Sequence, residues 1–226
     1  MNKGKNESKK KKCYAVKIII VGDQSVGKTN LINRYVKGEF SEDYMITIGM
    51  DFLTCNLELE DKIFKLRLWD TAGSEKFRSV TRGYYSNTCY ALIVYDITDD
   101  SSFNSVKQWI EDVQSFANKG TNLVLVGNKV DLNNKRKISK EEGQNLATEY
   151  GMDFYESSAL TGENINDIFE GICQKVNQQI DEGKIDLNDP SNGISISEVE
   201  GNIKINKNLN AKNTNIAQTH KKSCCA

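Results

Sequence analysis

Eight consecutive residues, Gly22-Asp23-Gln24-Ser25-Val26-Gly27-Lys28-Thr29, carry the clearest chemistry in this sequence. They have the spacing G-x-x-x-x-G-K-[ST]. They follow a β-branched apolar run, Val16 to Val21, and precede a stretch of helical character, Asn30 to Lys37. In that setting the pattern is a phosphate-binding loop. Glycine lets the backbone come close, and successive N–H groups converge on an anion at the positive end of a helix. Lys28 reaches β- and γ-phosphates, and Thr29 offers its hydroxyl to Mg²⁺. The chain has one histidine, His220, near its C-terminus. That excludes Ser/His/Asp and Cys/His catalysis in the body of the protein, and His-based zinc sites with it. A phosphate loop serves ATPases, nucleotide kinases and GTPases alike, and by itself it leaves the three open.

Three further segments each end a predicted strand. Asp70-Thr71-Ala72-Gly73 follows Leu66 to Trp69, Asn128-Lys129-Val130-Asp131 follows Val124 to Gly127, and Ser157-Ser158-Ala159 follows Asp153 to Glu156. With the phosphate loop, their order and spacing resemble the four nucleotide motifs of Ras-superfamily small GTPases over residues 15 to 182. The resemblance implies that Asp70 holds Mg²⁺ through water and that Gly73 turns its N–H to the γ-phosphate. Asp131 would accept from guanine N1–H and N2, a donor pair adenine lacks, so discrimination against ATP would be large. Asn128, Lys129, Ser158, Ala159 and Leu160 complete the base contacts, Ala159 through its N–H to guanine O6. A lysine is common where Leu160 stands. Asn30 extends the phosphate contacts.

Longer matches point to the Rab branch. Thr47 to Phe52 reads T-I-G-M-D-F, and Trp69 to Tyr85 reads W-D-T-A-G-S-E-K-F-R-S-V-T-R-G-Y-Y. By that resemblance Thr47 ligates Mg²⁺ only with the γ-phosphate present, Phe40 packs on the guanine and Tyr44 covers the phosphates. Phe52, Trp69 and Tyr84 match the aromatic triad that faces effectors. Lys28 and Gly73 bear on the reacting phosphate. The glutamine that orients the attacking water in the family is Ser74 here, too short to bridge in the same way, so slow intrinsic hydrolysis is expected. The alternative is a largely GTP-locked interaction module. Family GTPase-activating proteins that bring their own arginine and glutamine would bypass Ser74. Gln24 and Ser25 are also bulkier than the glycines of Ras.

These loops need a scaffold. Buried strand runs lie at Val16–Val21, Ala91–Tyr95 and Leu123–Val126, with a weaker one at Asp153–Glu156. An alternating hairpin spans Leu53 to Leu68. Helical spacing joins Val106, Trp109, Ile110, Val113 and Phe116, and again Ile165 through Ile180. Ser139 and Glu142 have the spacing of a capping box. Strand–helix alternation predicts an α/β fold. In the terms of the resemblance this is a Ras-like P-loop GTPase fold: a six-stranded, mostly parallel sheet with one antiparallel edge strand and helices on both faces. The expected organisation is a basic disordered arm over 1–13, the nucleotide domain over 14–182 and a flexible tail over 183–226.

Composition agrees with a globular domain, at 38% hydrophobic and 27% charged residues. A net charge of −1 gives no overall pull toward nucleic acid. No apolar run reaches the roughly 18–20 residues that span a bilayer, and the Lys-rich N-terminus has no secretory pattern. Cys13, Cys55, Cys89 and Cys173 read as small buried apolar residues. The chain ends Ser223-Cys224-Cys225-Ala226. A strict C-a-a-X signal needs cysteine at 223, whereas Cys224 and Cys225 resemble the dual prenylation signal of Rab proteins. Two lipids matter because one gives marginal binding. The resemblance therefore implies a monomer on the cytoplasmic face of a membrane, with a cytosolic pool. Its partners would be effectors, an exchange factor, a GTPase-activating protein, an escort protein and a GDP-dissociation inhibitor.

Overall fold

The computed structural model describes residues 10–43, 46–74 and 78–199. Six strands form the main sheet: β1 (Lys11–Val21), β2 (Met50–Leu59), β3 (Lys62–Thr71), β4 (Tyr90–Asp96), β5 (Asn122–Asn128) and β6 (Asp153–Ser157). Their spatial order is β2-β3-β1-β4-β5-β6. Along this path β2 and β3 run antiparallel, closed by a two-residue turn at Glu60 and Asp61 that sets Phe52 opposite Trp69. The other pairings on this path are parallel.

Period-2 alternation along β1 divides its side chains between two cores. Val16, Ile18 and Ile20 join α1 (Lys28–Lys37) and α6 (Ile165–Asp181) through Leu31, Ile32, Phe169 and Ile172. Tyr35 stacks on Phe169 with ring centroids 4.1 Å apart. Ile19 and Val21 face Trp109, Ile110 and Val113 of α4 (Val106–Phe116) and Leu146 and Ala147 of α5 (Lys140–Glu149). The expected capping box starts α5, with Ser139 and Glu142 bonded reciprocally. Cys13, Cys55, Cys89 and Cys173 are free and buried, and burial pushes the Cys55 and Cys89 thiols up to about 12. Two short helices, α2 (Arg78–Thr81) and α3 (Asp100–Asn104), precede β4 and α4.

Both domain boundaries differ from expectation. The basic arm does not extend to residue 13, because β1 begins at Lys11. The tail does not begin at 183, because β7 (Ile194–Val199) pairs antiparallel with β1 from Lys11↔Val199 to Val16↔Ile194. Lys17 hands that edge of β1 from one neighbour to the other. Its N–H donates to the Gly193 carbonyl (2.9 Å) and its carbonyl accepts from the Cys89 N–H (3.0 Å). Gly193 has φ +76, and a Cβ there would lie 2.3 Å from the Cys89 nitrogen, so only glycine fits. Ile194 is 3% exposed, and Ile185 and Leu187 pack partly buried against the α1/α6 core. Apolar burial and ladder hydrogen bonds hold a segment whose composition reads as coil. Lys11 pairs with Glu58, and Lys10 with Glu198 at 3.4 Å.

Candidate nucleotide site

The phosphate loop links the end of β1 to α1. The Lys28 ammonium, only 6% exposed, donates to the Gly22 and Asp23 carbonyls at 2.7 Å each. Burial pushes it down to about 8, against the opposing pull of Asp70 and Asp23. A buried ammonium so placed gains strongly from an incoming phosphate. Ser25 adopts φ 68 and Gly27 φ 95. The serine costs about 1–2 kcal/mol in that region, and such strain gathers at ligand-gripping loops.

Gly73 packs directly on this loop. A Cβ there would lie 2.4 Å from the Asp23 carbonyl carbon and 2.5 Å from the Gln24 nitrogen. Absence of a side chain is thus what brings the end of β3 against the phosphate loop and sets Ser74 beside Gln24. Gln24, Gly73 and Ser74, with Lys28, Thr29 and Thr47, line a cleft of about 230 Å³.

At the metal-competent end of the cleft, the Thr29 hydroxyl donates to Asp70 Oδ2 at 2.5 Å and lies 3.2 Å from the Thr47 hydroxyl. Asp70 is 1% exposed and its Oδ1 is buried without a hydrogen-bond partner. Burial raises its carboxyl, while Thr29 and Lys28 pull the other way. Two hydroxyls and one under-satisfied carboxylate are hard oxygen donors. They fit Mg²⁺, which takes few protein ligands and fills its octahedron with water and phosphate.

The segments expected to contact the base lie at the ends of β5 and β6. Asn128 Nδ2 donates to the Val26 carbonyl at 2.8 Å, tying the N-K-x-D segment to the phosphate loop. Asn128 Oδ1 accepts the Ala159 N–H at 3.3 Å. The Ser158 hydroxyl donates to Asp131 Oδ1 at 2.5 Å, which leaves Oδ2 and the remaining Oδ1 lone pair for a donor pair. Lys129 sits at φ 70 and pairs with Asp96 at 2.6 Å, while Thr98 donates to the other Asp96 oxygen from both N–H and hydroxyl. Leu160 is exposed.

Phe40 is half-buried just beyond the end of α1. The Asn30 side chain turns to the Ser41 backbone, donating to its carbonyl (2.8 Å) and accepting from its N–H (3.2 Å). Tyr44, Cys224 and Cys225 lie outside the described residues. The aromatic triad forms a continuous stack: Phe52 and Trp69 meet edge-on at 5.1 Å, and Trp69 and Tyr84 at 5.6 Å. Lys17 supports it from below, 4.6 Å from the Trp69 ring centre and donating to the Tyr84 and Ser86 carbonyls.

Sequence reasoning missed two contributors. Trp109 of α4 donates its indole N–H to Asp23 at 2.8 Å, although its helical spacing marks it only as core. Arg34 of α1 reaches three backbone carbonyls, and no local spacing announces it.

A family model described as the Ras family matches residues 17–178. The Arabidopsis thaliana protein "Ras-related protein RABE1e" is 36% identical over 214 residues, covering 94% of this chain and 93% of that protein. "Ras-related protein RAB1BV" of Beta vulgaris is 42% identical over 168 residues, covering 74% and 78%. With the D-T-A-G and N-K-V-D segments gathered around the phosphate loop at one end of the sheet, and with relatives this similar over most of its length, the chain belongs to the Ras family and, within it, to the Rab small GTPases.

Proposed function

We propose that this chain is a GTP/GDP switch of the Rab type that is anchored on a membrane and regulates vesicle trafficking through effectors. One observation carries the reading: the Asn128 bond to the Val26 carbonyl makes base recognition and phosphate binding a single unit. Asp131, steadied by Ser158, accepts from guanine N1–H and N2, and adenine would leave that carboxylate unpaired. Thr29, Thr47 and Asp70 would hold Mg²⁺, and the ion would supply charge neutralisation on the phosphates.

The γ-phosphate draws Thr47 and the Gly73 N–H inward, which orders the segments flanking Phe52, Trp69 and Tyr84 into an effector surface. A water attacks the γ-phosphorus as the bond to the β–γ bridging oxygen breaks. Lys28 steadies the departing charge, and Thr47 and Gly73 are released with inorganic phosphate. The short Ser74 hydroxyl leaves that water poorly oriented, so turnover is slow unless a GTPase-activating protein supplies the missing groups. Ser74 also favours a second reading, a largely GTP-bound interaction module. No helix among the described residues is long and apolar enough to cross a membrane, and attachment falls to thioether-linked lipid on Cys224 and Cys225. The chain acts as a monomer, with exchange factor, escort and GDP-dissociation inhibitor as further partners.

The test is to purify the intact chain, denature it and identify the released nucleotide by chromatography. GDP is expected. Mainly GTP favours the second reading, and adenine nucleotide alone sinks both.

A further inference from the structure

Arg34 stands one turn before the end of α1 and spends its guanidinium on backbone from two separate loops. Nε donates to the Ala159 carbonyl at 2.8 Å and Nη2 to the Leu160 carbonyl at 2.7 Å. Nη1 donates to the Gly38 carbonyl at 2.8 Å. Gly38, at φ 74, caps α1 and opens the loop that leads to Thr47. The loop after β6 is bonded within itself, through Gly162 N–H to the Ser158 carbonyl (2.8 Å) and Thr161 N–H to the Ser158 hydroxyl (3.0 Å), and to the N-K-x-D segment through Ser158 to Asp131 and Ala159 N–H to Asn128. Arg34 is what fastens this loop to α1. A planar, always-charged fork suits such a task, and a lysine ammonium cannot reproduce its geometry.

We propose that Arg34 is a positioning residue for guanine retention, coupling the root of the Thr47-bearing loop to the loop after β6, whose Ala159 N–H rests on Asn128 Oδ1 at 3.3 Å and would turn to guanine O6 when the base is bound. The proposal rests on the guanine-switch reading above. Two strands of geometry support the coupling. The same guanidinium holds both loops, and Asn30, one turn earlier on α1, holds Ser41 of the first loop from both its N–H and its carbonyl. A partner that pulls residues 39–43 off α1 therefore strains the Arg34–Gly38 bond and slackens Ala159 and Leu160. Base contacts weaken without the partner touching them, which suits an exchange factor working on this loop.

The experiment follows release of methylanthraniloyl-GDP from the full chain into excess GDP. Arg34→Ala loses two charge-assisted bonds to the base loop and should release nucleotide on the order of tenfold faster. Arg34→Lys should fall between it and the wild type, with a melting temperature close to the wild type. Two further measurements separate positioning from plain destabilisation. With 6-thio-GDP, whose sulfur is a weak acceptor for the Ala159 N–H, Arg34→Ala should accelerate release clearly less than with GDP. Asn30→Ala, which frees the first loop, should accelerate release less in the Arg34→Ala background than alone.

Wild-type release rates in both arginine variants overturn the proposal, as does equal acceleration of GDP and 6-thio-GDP. Strict multiplicativity of the Asn30 and Arg34 effects overturns the coupling. A wild-type chain that retains adenine but no guanine nucleotide overturns the switch reading itself.

Discussion

Ending the chain at residue 183 removes β7 and the segment that leads into it, and the consequence can be worked from the packing. Ile194 goes from 3% exposed to absent, a loss of about 1.5–3 kcal/mol for one buried isoleucine. Ile185 and Leu187 lose partial burial against the α1/α6 core. Residues Lys11 to Val16 lose their antiparallel partner, and their freed N–H and C=O groups turn to water at a small net cost each. Regained chain entropy offsets part of this. The expected net loss is about 2–4 kcal/mol, or roughly 5–15 °C in melting temperature for a domain of this size. The assay is a thermal melt followed by circular dichroism at one fixed excess of GDP, since bound nucleotide shifts the midpoint. A chain ending at 199 should melt like the full chain. Gly193→Ala should reproduce most of the loss, because its Cβ would press on the Cys89 backbone. If chains ending at 183 and at 199 melt within about 2 °C of each other, the packing argument for β7 is wrong.

Other consequences concern the site. Ser74→Gln should raise single-turnover intrinsic GTP hydrolysis by about tenfold or more while GDP release stays unchanged; an unchanged hydrolysis rate refutes the account of Ser74. Burial holds the Lys28 ammonium at about 8 rather than 10.5, so in nucleotide-free protein the charged lysine costs stability below pH 8, and the cost fades as pH climbs toward 10.5. Lys28→Met should stabilise nucleotide-free protein at pH 7 by up to roughly 3 kcal/mol and abolish the rise in melting temperature on adding GDP; a less stable empty variant contradicts this. Trp109→Phe removes the indole bond to Asp23 and should destabilise the protein by about 1–3 kcal/mol, read by urea unfolding, with an unmoved midpoint as the contrary result.

Much of this protein follows from local pattern. The phosphate loop, D-T-A-G and N-K-V-D are short, and each sits where a strand-like run stops, so strand ends and chemistry are read together. Alternation along β1 and in the β2–β3 hairpin specifies which side chains face which core. The spacing of Ser139 and Glu142 specifies the start of α5 within one helical turn. Periodicity and capping act between residues a few positions apart, and sequence order preserves that information.

Tertiary structure decided what depends on distant partners. Ile194-Ser195-Ile196-Ser197 alternates as a strand should, yet only Ile194 is buried. A segment with so little apolar surface becomes a strand because β1 extends past β4 and offers it an edge. Lys11 and Lys12 read as a solvated basic arm for the same reason, their strand conformation being set by β7. Trp109 looks like any core aromatic until α4 lies beside Asp23, and Arg34 like a solvated helix cation until the loop after β6 arrives. The Arg34 bonds to Ala159 and Leu160 cross 125 and 126 positions of chain. No spacing rule encodes a hydrogen bond at that separation, because its geometry exists only after the sheet has brought both ends together.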